Sequence, residues 1–272
     1  MDELAQFKFA PTELVHRERF LLARADVVFA GGRSLAESKS RFHENVHFFG
    51  CGVDAQHFNA AREAHTVVPA ALAALTGPVL GYIGVIDERL DYALIANLAE
   101  HLPHASLAMI GPVVKVEPRD LPRRENIHWF GQQTYESLPS FMKGFDVCLM
   151  PFAINKATEY INPTKTLEYM ASGKPIVSTP VADVVRNFTP IVAVAESVQG
   201  YLSAVTDALV RPSPELAERG IARAAESSWE GITGKMTMLM EEAINVRLRR
   251  TRTGQLQSTT TTLAERGVRR AP

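Results

Sequence analysis

The side chains best placed to do chemistry gather in one run, Asn162-Pro163-Thr164-Lys165-Thr166-Leu167-Glu168-Tyr169-Met170-Ala171-Ser172-Gly173-Lys174-Pro175. Asn162 suits an N-cap, and Pro163 suits the first helical position, where its missing N–H costs nothing. Gly173 suits the turn after the last helical residue, and Pro175 stops the helix. Leu167, Met170 and Ala171 fall at i, i+3, i+4 and face a core, while Thr164 and Glu168, four apart, share another face. The free N–H groups of Thr164 and Lys165, the positive end of the helix dipole and the Lys165 ammonium together suit a diphosphate. One turn further in, Glu168 is placed to accept hydrogen bonds from a pair of ribose hydroxyls. Phosphate at the tip and a carboxylate for a sugar imply a nucleotide. A plainer reading stays open on these residues alone: Lys165 and Glu168 form an i, i+3 surface pair contributing about 0.2–0.5 kcal/mol.

The elements that must hold this helix are legible around it. From Pro78 onward, apolar runs alternate with helical patterns: PVLGYIG, a helix near Asp91–His101, ASLAMIG, NIHWFG, a helix over 137–143, DVCLMPF, the helix over 163–172, KPIVST, a segment over 181–187 and PIVAVA. Helices over 197–209 and 213–227 follow. Strands that are apolar throughout are buried on both faces, which implies a mostly parallel sheet in a doubly wound, Rossmann-like α/β domain. In such sheets ligands sit beyond the carboxyl ends of the strands, which is where the 163–172 helix begins. Upstream, a helix over 13–25, a strand over 26–30, a helix opened by the capping-box pattern Ser34-Leu35-Ala36-Glu37 and a strand over 45–50 are predicted.

The run INPTKTLEYMASGKPIVSTPVADV resembles the donor-binding signature of the retaining GT-B glycosyltransferases of group 1, family 4. GYIGVIDERLDYALI, MIGPVV, NIHWFGQQTYESLPSFMKGFDVCLMPF and SWEGITGKM resemble the rest of that family's C-terminal domain, in the same order. The resemblance implies that Glu168 binds ribose, that Asn162, Pro163, Thr164 and Lys165 form the diphosphate loop, and that Gly84 and Arg89 occupy a Gly-rich turn and a basic phosphate position. Arg89 also reads as a surface pair within DERLD. By the same resemblance Gly131 and Gln132 bracket the base, although both also suit an ordinary turn. The family's E-x7-E spacing would put its first Glu at Tyr160; here Glu159 stands one residue early, and it is the candidate catalytic residue beside the transferred sugar. The NPTK sequence resembles enzymes of envelope or extracellular polysaccharide synthesis.

The resemblance implies a layout: 1–54 as a remnant of the N-terminal acceptor domain, 55–77 as a linker, 78–228 as the nucleotide-sugar domain, 229–248 as a helix returning toward the N-terminal domain, and 249–272 as a disordered tail. Gly50-Cys51-Gly52-Val53-Asp54-Ala55 matches GxGxxA, but Gln56-His57-Phe58-Asn59 opens no amphipathic helix and a lone match is weak; the resemblance implies instead that this stretch is the crossing between domains. Two alternatives accompany the transferase reading: a non-catalytic donor-binding remnant or subunit that needs an N-terminal partner or self-associates, and a GT-B-fold sugar-nucleotide epimerase.

Composition narrows the classes. Twenty-nine Lys and Arg against thirty Asp and Glu leave a net charge of -1, without the positive field that nucleic-acid binding needs. Cys51 and Cys148 have no CxxC spacing and the eight His have no HxH or HExxH spacing, so no metal or cofactor is expected besides the donor substrate. With acidic residues near Met1 and no apolar run of about 18 residues, the expectation is a cytoplasmic protein, peripheral at most at the inner membrane face. Its expected partners are a nucleotide-sugar donor and a glycan or lipid-linked acceptor.

Overall fold

The computed structural model describes residues 3–267, with side chains through residue 249. In chain order the elements are α1 (Leu14–Leu22), β1 (Val28–Ala30), α2 (Arg33–Lys39), β2 (Val46–Phe48), α3 (Ala55–Asn59), α4 (Ala70–Ala73), β3 (Val79–Ile83), α5 (Tyr92–His101), β4 (Ser106–Ile110), β5 (Ile127–Gly131), α6 (Leu138–Lys143), β6 (Val147–Met150), α7 (Lys165–Ala171), β7 (Ile176–Ser178), α8 (Ala182–Phe188), β8 (Val192–Val194), α9 (Val198–Val210), α10 (Pro214–Ala225) and α11 (Trp229–Gly267).

The six apolar runs form one sheet, in the order β5-β4-β3-β6-β7-β8, and every pairing is parallel. β3, β4, β6 and β7 are buried along their whole length, as strands covered on both faces by helices must be. This is the Rossmann-like α/β fold that the alternating pattern predicts. The order reverses between β3 and β6, so the crevice at their carboxyl ends is the switch point at which such folds bind ligands. Several helices start where the sequence places a cap: Asp91 Oδ1 accepts from Leu94 N at 2.9 Å, Ser197 Oγ from Gly200 N at 3.1 Å, and Ser213 Oγ from Leu216 N at 3.3 Å.

Residues 28–48 make a second, smaller unit in which β1 and β2 pair in parallel and α2 covers them, around the buried Ala30, Leu35 and Ala36. The capping box predicted for α2 does not form. Its N-cap is Gly32, with no side-chain cap of its own. Ser34 instead turns its hydroxyl to Asp183, and Glu37 pairs with Arg186 at 2.7 Å. The segment over 55–77, predicted as a linker, carries α3 and α4, and Phe58, Ala61 and Leu72 are buried in the main core. Gly52 of the GxGxxA match is required by packing: a Cβ there would stand 2.5 Å from the Trp229 ring. The final helix continues along the backbone past residue 248 to Gly267, consistent with the lack of proline between Trp229 and Gly267; residues 268–272 of the predicted tail lie outside the described residues. Among the described residues no helix is long and apolar enough to cross a membrane.

Candidate functional site

The carboxyl ends of β3, β4 and β5 each end at or beside a glycine with positive φ: Gly84 at 150°, Gly111 at 144° and Gly131 at 67°. The first two are forced together, because a Cβ on Gly111 would lie 1.9 Å from the Gly84 carbonyl oxygen. Gly84 in turn leaves room for the end of Lys165, whose Cε and Nζ would stand 2.9 and 3.0 Å from a Cβ there. Two distant parts of the sequence, the β3 turn and the start of α7, therefore meet at the switch point.

The Lys165 ammonium lies 5.2 Å from the Tyr82 ring centroid and 5.1 Å from that of Phe152, so aromatic faces carry part of its charge. Among the described residues it makes no hydrogen bond or ion pair. Burial lowers its pKa to about 8, with Glu168 opposing and Arg89 reinforcing the shift. Lys165 is thus a half-buried cation without a hydrogen-bonded counter-ion, and an anion placed beside it would restore the proton that burial disfavours. Lys165 and Glu168 do not close into a direct ion pair, although each charge acts on the other.

Helix α7 starts differently from the prediction. Asn162 does not cap it: its Nδ2 donates 3.0 Å across to the Gly31 carbonyl, and its Oδ1 is buried without a partner. Pro163 is buried and opens a tight first turn, in which Thr166 N donates to Pro163 O at 3.1 Å and Leu167 N to Thr164 O at 3.1 Å. No backbone acceptor takes the N–H of Thr164 or Lys165 among the described residues, which leaves both available at an exposed tip. At the far end Gly173 adopts φ 69° and its N–H returns to Met170 O at 3.0 Å, the predicted stop.

Glu168 is half-buried on the same helix, and its carboxylate makes no hydrogen bond among the described residues. Burial raises its pKa, while Lys165 and His57 pull it back. Around it stands a group that sequence reasoning missed. His57, on the turn of α3, stacks on Tyr135 at 4.2 Å with the rings 11° from parallel, and His57 Nε2 lies 2.9 Å from the Tyr135 carbonyl oxygen. Partial burial first, then the charges of Asp54 and Glu168, push the Tyr135 phenol up. An Asp54 side chain that accepts from His57 N at 2.9 Å was the available signal, since it marks a helix start inside the predicted linker.

The other predicted residues are placed less directly. Arg89 grips Asp87 with both edges: Nε donates to Oδ1 at 2.9 Å and Nη2 to Oδ2 at 2.7 Å. The Phe7 ring covers it at 5.6 Å. The pair within DERLD is therefore real, and Arg89 stands at the site already paired. Gly131 is exposed and its carbonyl accepts from Gly111 N at 2.8 Å; Gln132 is exposed as well. No hydrogen bond links either to α7. Glu159 is exposed, just after a 3-10 turn over Lys156–Thr158 that closes on its own capping box with Asn155, and it contacts neither Lys165 nor Glu168 by hydrogen bond. No group of three or more His, Cys, Asp or Glu among the described residues could hold a metal ion.

The sequence profile of the family "Glycosyl transferases group 1" matches residues 77–211, which span β3 to α9. Residues 77–211 of the sheet domain are thus similar to the group 1 glycosyltransferases. TuaH of Bacillus subtilis (strain 168), named for teichuronic acid biosynthesis, is 31% identical over 139 residues, covering 50% of this chain and 34% of TuaH. The chain thus spans about a third of that relative's length. Among solved structures, sucrose-phosphate synthase from Thermosynechococcus elongatus superposes with a TM-score of 0.68 at 18% identity, over 88% of this chain and 63% of that one. Anabaena Alr3699/HepE, solved with UDP and glucose, also gives 0.68 at 13% identity, over 86% and 67%. At these identities the superpositions speak for the fold of the group 1 domain.

Proposed function

We propose that the chain is the donor-binding part of a retaining glycosyltransferase that takes a sugar from a nucleoside diphosphate sugar. The observation that carries the reading is the Lys165 ammonium, held without a counter-ion beside Gly84 at the switch point of the sheet. The donor diphosphate sits on Lys165 and on the free N–H groups of Thr164 and Lys165, and Glu168 takes the ribose hydroxyls one turn further in. Arg89 adds charge from the β3 turn, Gly131 and Gln132 lie toward the base, and Glu159 toward the sugar. The solved Alr3699/HepE complexes with UDP-glucose support a nucleotide-sugar ligand on this fold. TuaH, named for teichuronic acid biosynthesis, supports a role in envelope polysaccharide synthesis, and the same reading puts the chain on the cytoplasmic side. In this reading residues 1–54 belong to an acceptor-binding unit, and residues 229–248 return to it. Positioning an acceptor contributes about 7–11 kcal/mol to such a transfer, so turnover depends on how completely that unit is assembled.

Calorimetric titration of the chain with UDP and with GDP tests the reading. One of the two is expected to bind, and Glu168→Ala is expected to abolish binding. If neither nucleotide binds the intact chain, the donor-site reading is wrong.

A further inference from the structure

On the side of α7 away from Lys165 and Glu168, a cavity of about 500 Å³ opens where the β1–β2 unit meets the sheet domain. Asn162, Pro163 and Leu167 form part of its wall, whereas Gly84, Lys165 and Glu168 do not. Arg33, Arg186, Arg223 and Lys235 line it, against one carboxylate, Glu226. This is a local excess of positive charge in a chain whose net charge is -1.

Two of the four cations are committed, Arg186 to Glu37 at 2.7 Å and Arg223 to Glu226 at 3.7 Å. The other two are not. Arg33 lies over the Phe48 ring, 4.9 Å from its centroid, and its Nε donates to Asn187 Oδ1 at 3.4 Å. Its terminal nitrogens find no acceptor among the described residues, and neither does Lys235 Nζ.

The same wall holds two buried amide atoms without partners, Asn187 Nδ2 and Asn162 Oδ1. Each amide is oriented by its other atom: Asn187 Oδ1 accepts from Arg33, and Asn162 Nδ2 donates to Gly31 O. Asn187 therefore offers a donor and Asn162 an acceptor. Buried polar atoms ordinarily have partners, and here one ligand chemistry supplies both: an oxyanion for Arg33, Lys235 and Asn187, and a hydroxyl for Asn162.

We propose that this cavity binds an anionic sugar, carrying either a phosphate or a carboxylate group, at a place separate from the nucleotide. The inference stands independently of the donor-site reading, since of the residues assigned to that site only Asn162 and Pro163, at the bend before α7, also touch this cavity.

Glucose 6-phosphate and glucuronate, with uncharged glucose as control, titrated into the intact chain by NMR in the presence and absence of saturating UDP, test the proposal. At least one acidic sugar is expected to bind, glucose is not, and UDP is expected to leave the binding unchanged. The arm that binds distinguishes a phosphate from a carboxylate ligand. Arg33→Ala and Lys235→Ala should each weaken it about tenfold, as expected for loss of a charge-assisted hydrogen bond. Asn187→Asp, which puts a carboxylate where the donor stood, should weaken it further. Lys235 is exposed on α11, so that variant keeps the test valid even if Arg33→Ala disturbs α2. Failure of both acidic sugars to bind, equal binding of glucose, competition by UDP, or indifference to Lys235→Ala in a folded chain would each overturn the proposal.

Discussion

Asp183, buried at the start of α8, caps helix α2 from across the molecule: its Oδ1 accepts from Ser34 N at 3.0 Å and Ser34 Oγ at 2.6 Å, and its Oδ2 accepts from Arg33 N at 2.6 Å. A carboxylate on the first N–H groups of a helix satisfies donors that have no intrahelical partner and meets the positive end of the dipole. The same contact ties the β1–β2 unit to the sheet domain. Asp183→Ala is expected to cost about 2–3 kcal/mol, the range for hydrogen bonds to a charged group. It should also make the segment before residue 54 the first to be cut by protease. Urea unfolding with timed proteolysis checks both, and an unchanged cleavage pattern would mean that other contacts hold the unit in place.

Nucleotide binding should peak between two titrations of opposite sign. Lys165 binds a diphosphate in its protonated form, and burial holds its pKa at about 8. Affinity should therefore fall as pH rises through about 8, with proton uptake on binding in the same range. Glu168 accepts hydroxyl protons as a carboxylate, and its pKa is raised. Affinity should accordingly fall on acidification, starting above the ordinary carboxylate range. Glu168→Gln should remove the acid limb and Lys165→Met the alkaline one, each with a loss of about tenfold or more at the optimum. Calorimetry in buffers of different ionisation enthalpy reads both the limbs and the proton. In the free chain the depressed Lys165 pKa means that the unfolded state binds more protons between about 8 and 10.5, so stability should rise with pH across that window.

How much of this was legible follows from where each signal lies along the chain. The six strands of the sheet stand out because each is a short apolar run bounded by Gly, Pro or Asn, and the limits of α7 follow from Pro163 and Gly173. The Arg89–Asp87 pair was readable because its partners are two residues apart. The Asp183 cap was not: its partners are separated by 149 and 150 residues, and the local Ser34–Glu37 pattern offered a false substitute. Residues 55–77 looked like a linker because their buried side chains, Phe58, Ala61 and Leu72, are too sparse to show a period. The His57–Tyr135 stack beside Glu168 joins that same segment to the turn after β5, and no spacing rule connects the two.

Gly84→Ala should separate binding from folding in the β3 turn. The added Cβ would meet Lys165 Cε at 2.9 Å and Tyr82 Oη at 2.9 Å, at a φ of 150° that side-chain-bearing residues rarely adopt. The lysine end is flexible and can give way, so the expected stability cost is about 1–3 kcal/mol of backbone strain. The ammonium must move, however, and nucleotide affinity should drop about tenfold. Thermal melts and UDP titration on one preparation report the two effects. An affinity unchanged in a folded variant would argue that the diphosphate does not sit on Lys165.

Arg89 presents the opposite problem, because it is already paired. Arg89→Ala leaves the Asp87 carboxylate, only 5% exposed, without its guanidinium. Removing one partner of such a pair costs about 3–5 kcal/mol when both are fully buried; with the Arg89 side chain 28% exposed, about 2 kcal/mol is the expected loss. Replacing both partners, as Asp87→Ser with Arg89→Ala, removes the stranded charge and should recover most of that stability. If Arg89 also contributes charge to the diphosphate, the double variant should still bind UDP about tenfold more weakly than the parent chain. Recovery of affinity together with stability would instead assign Arg89 to the β3 turn alone.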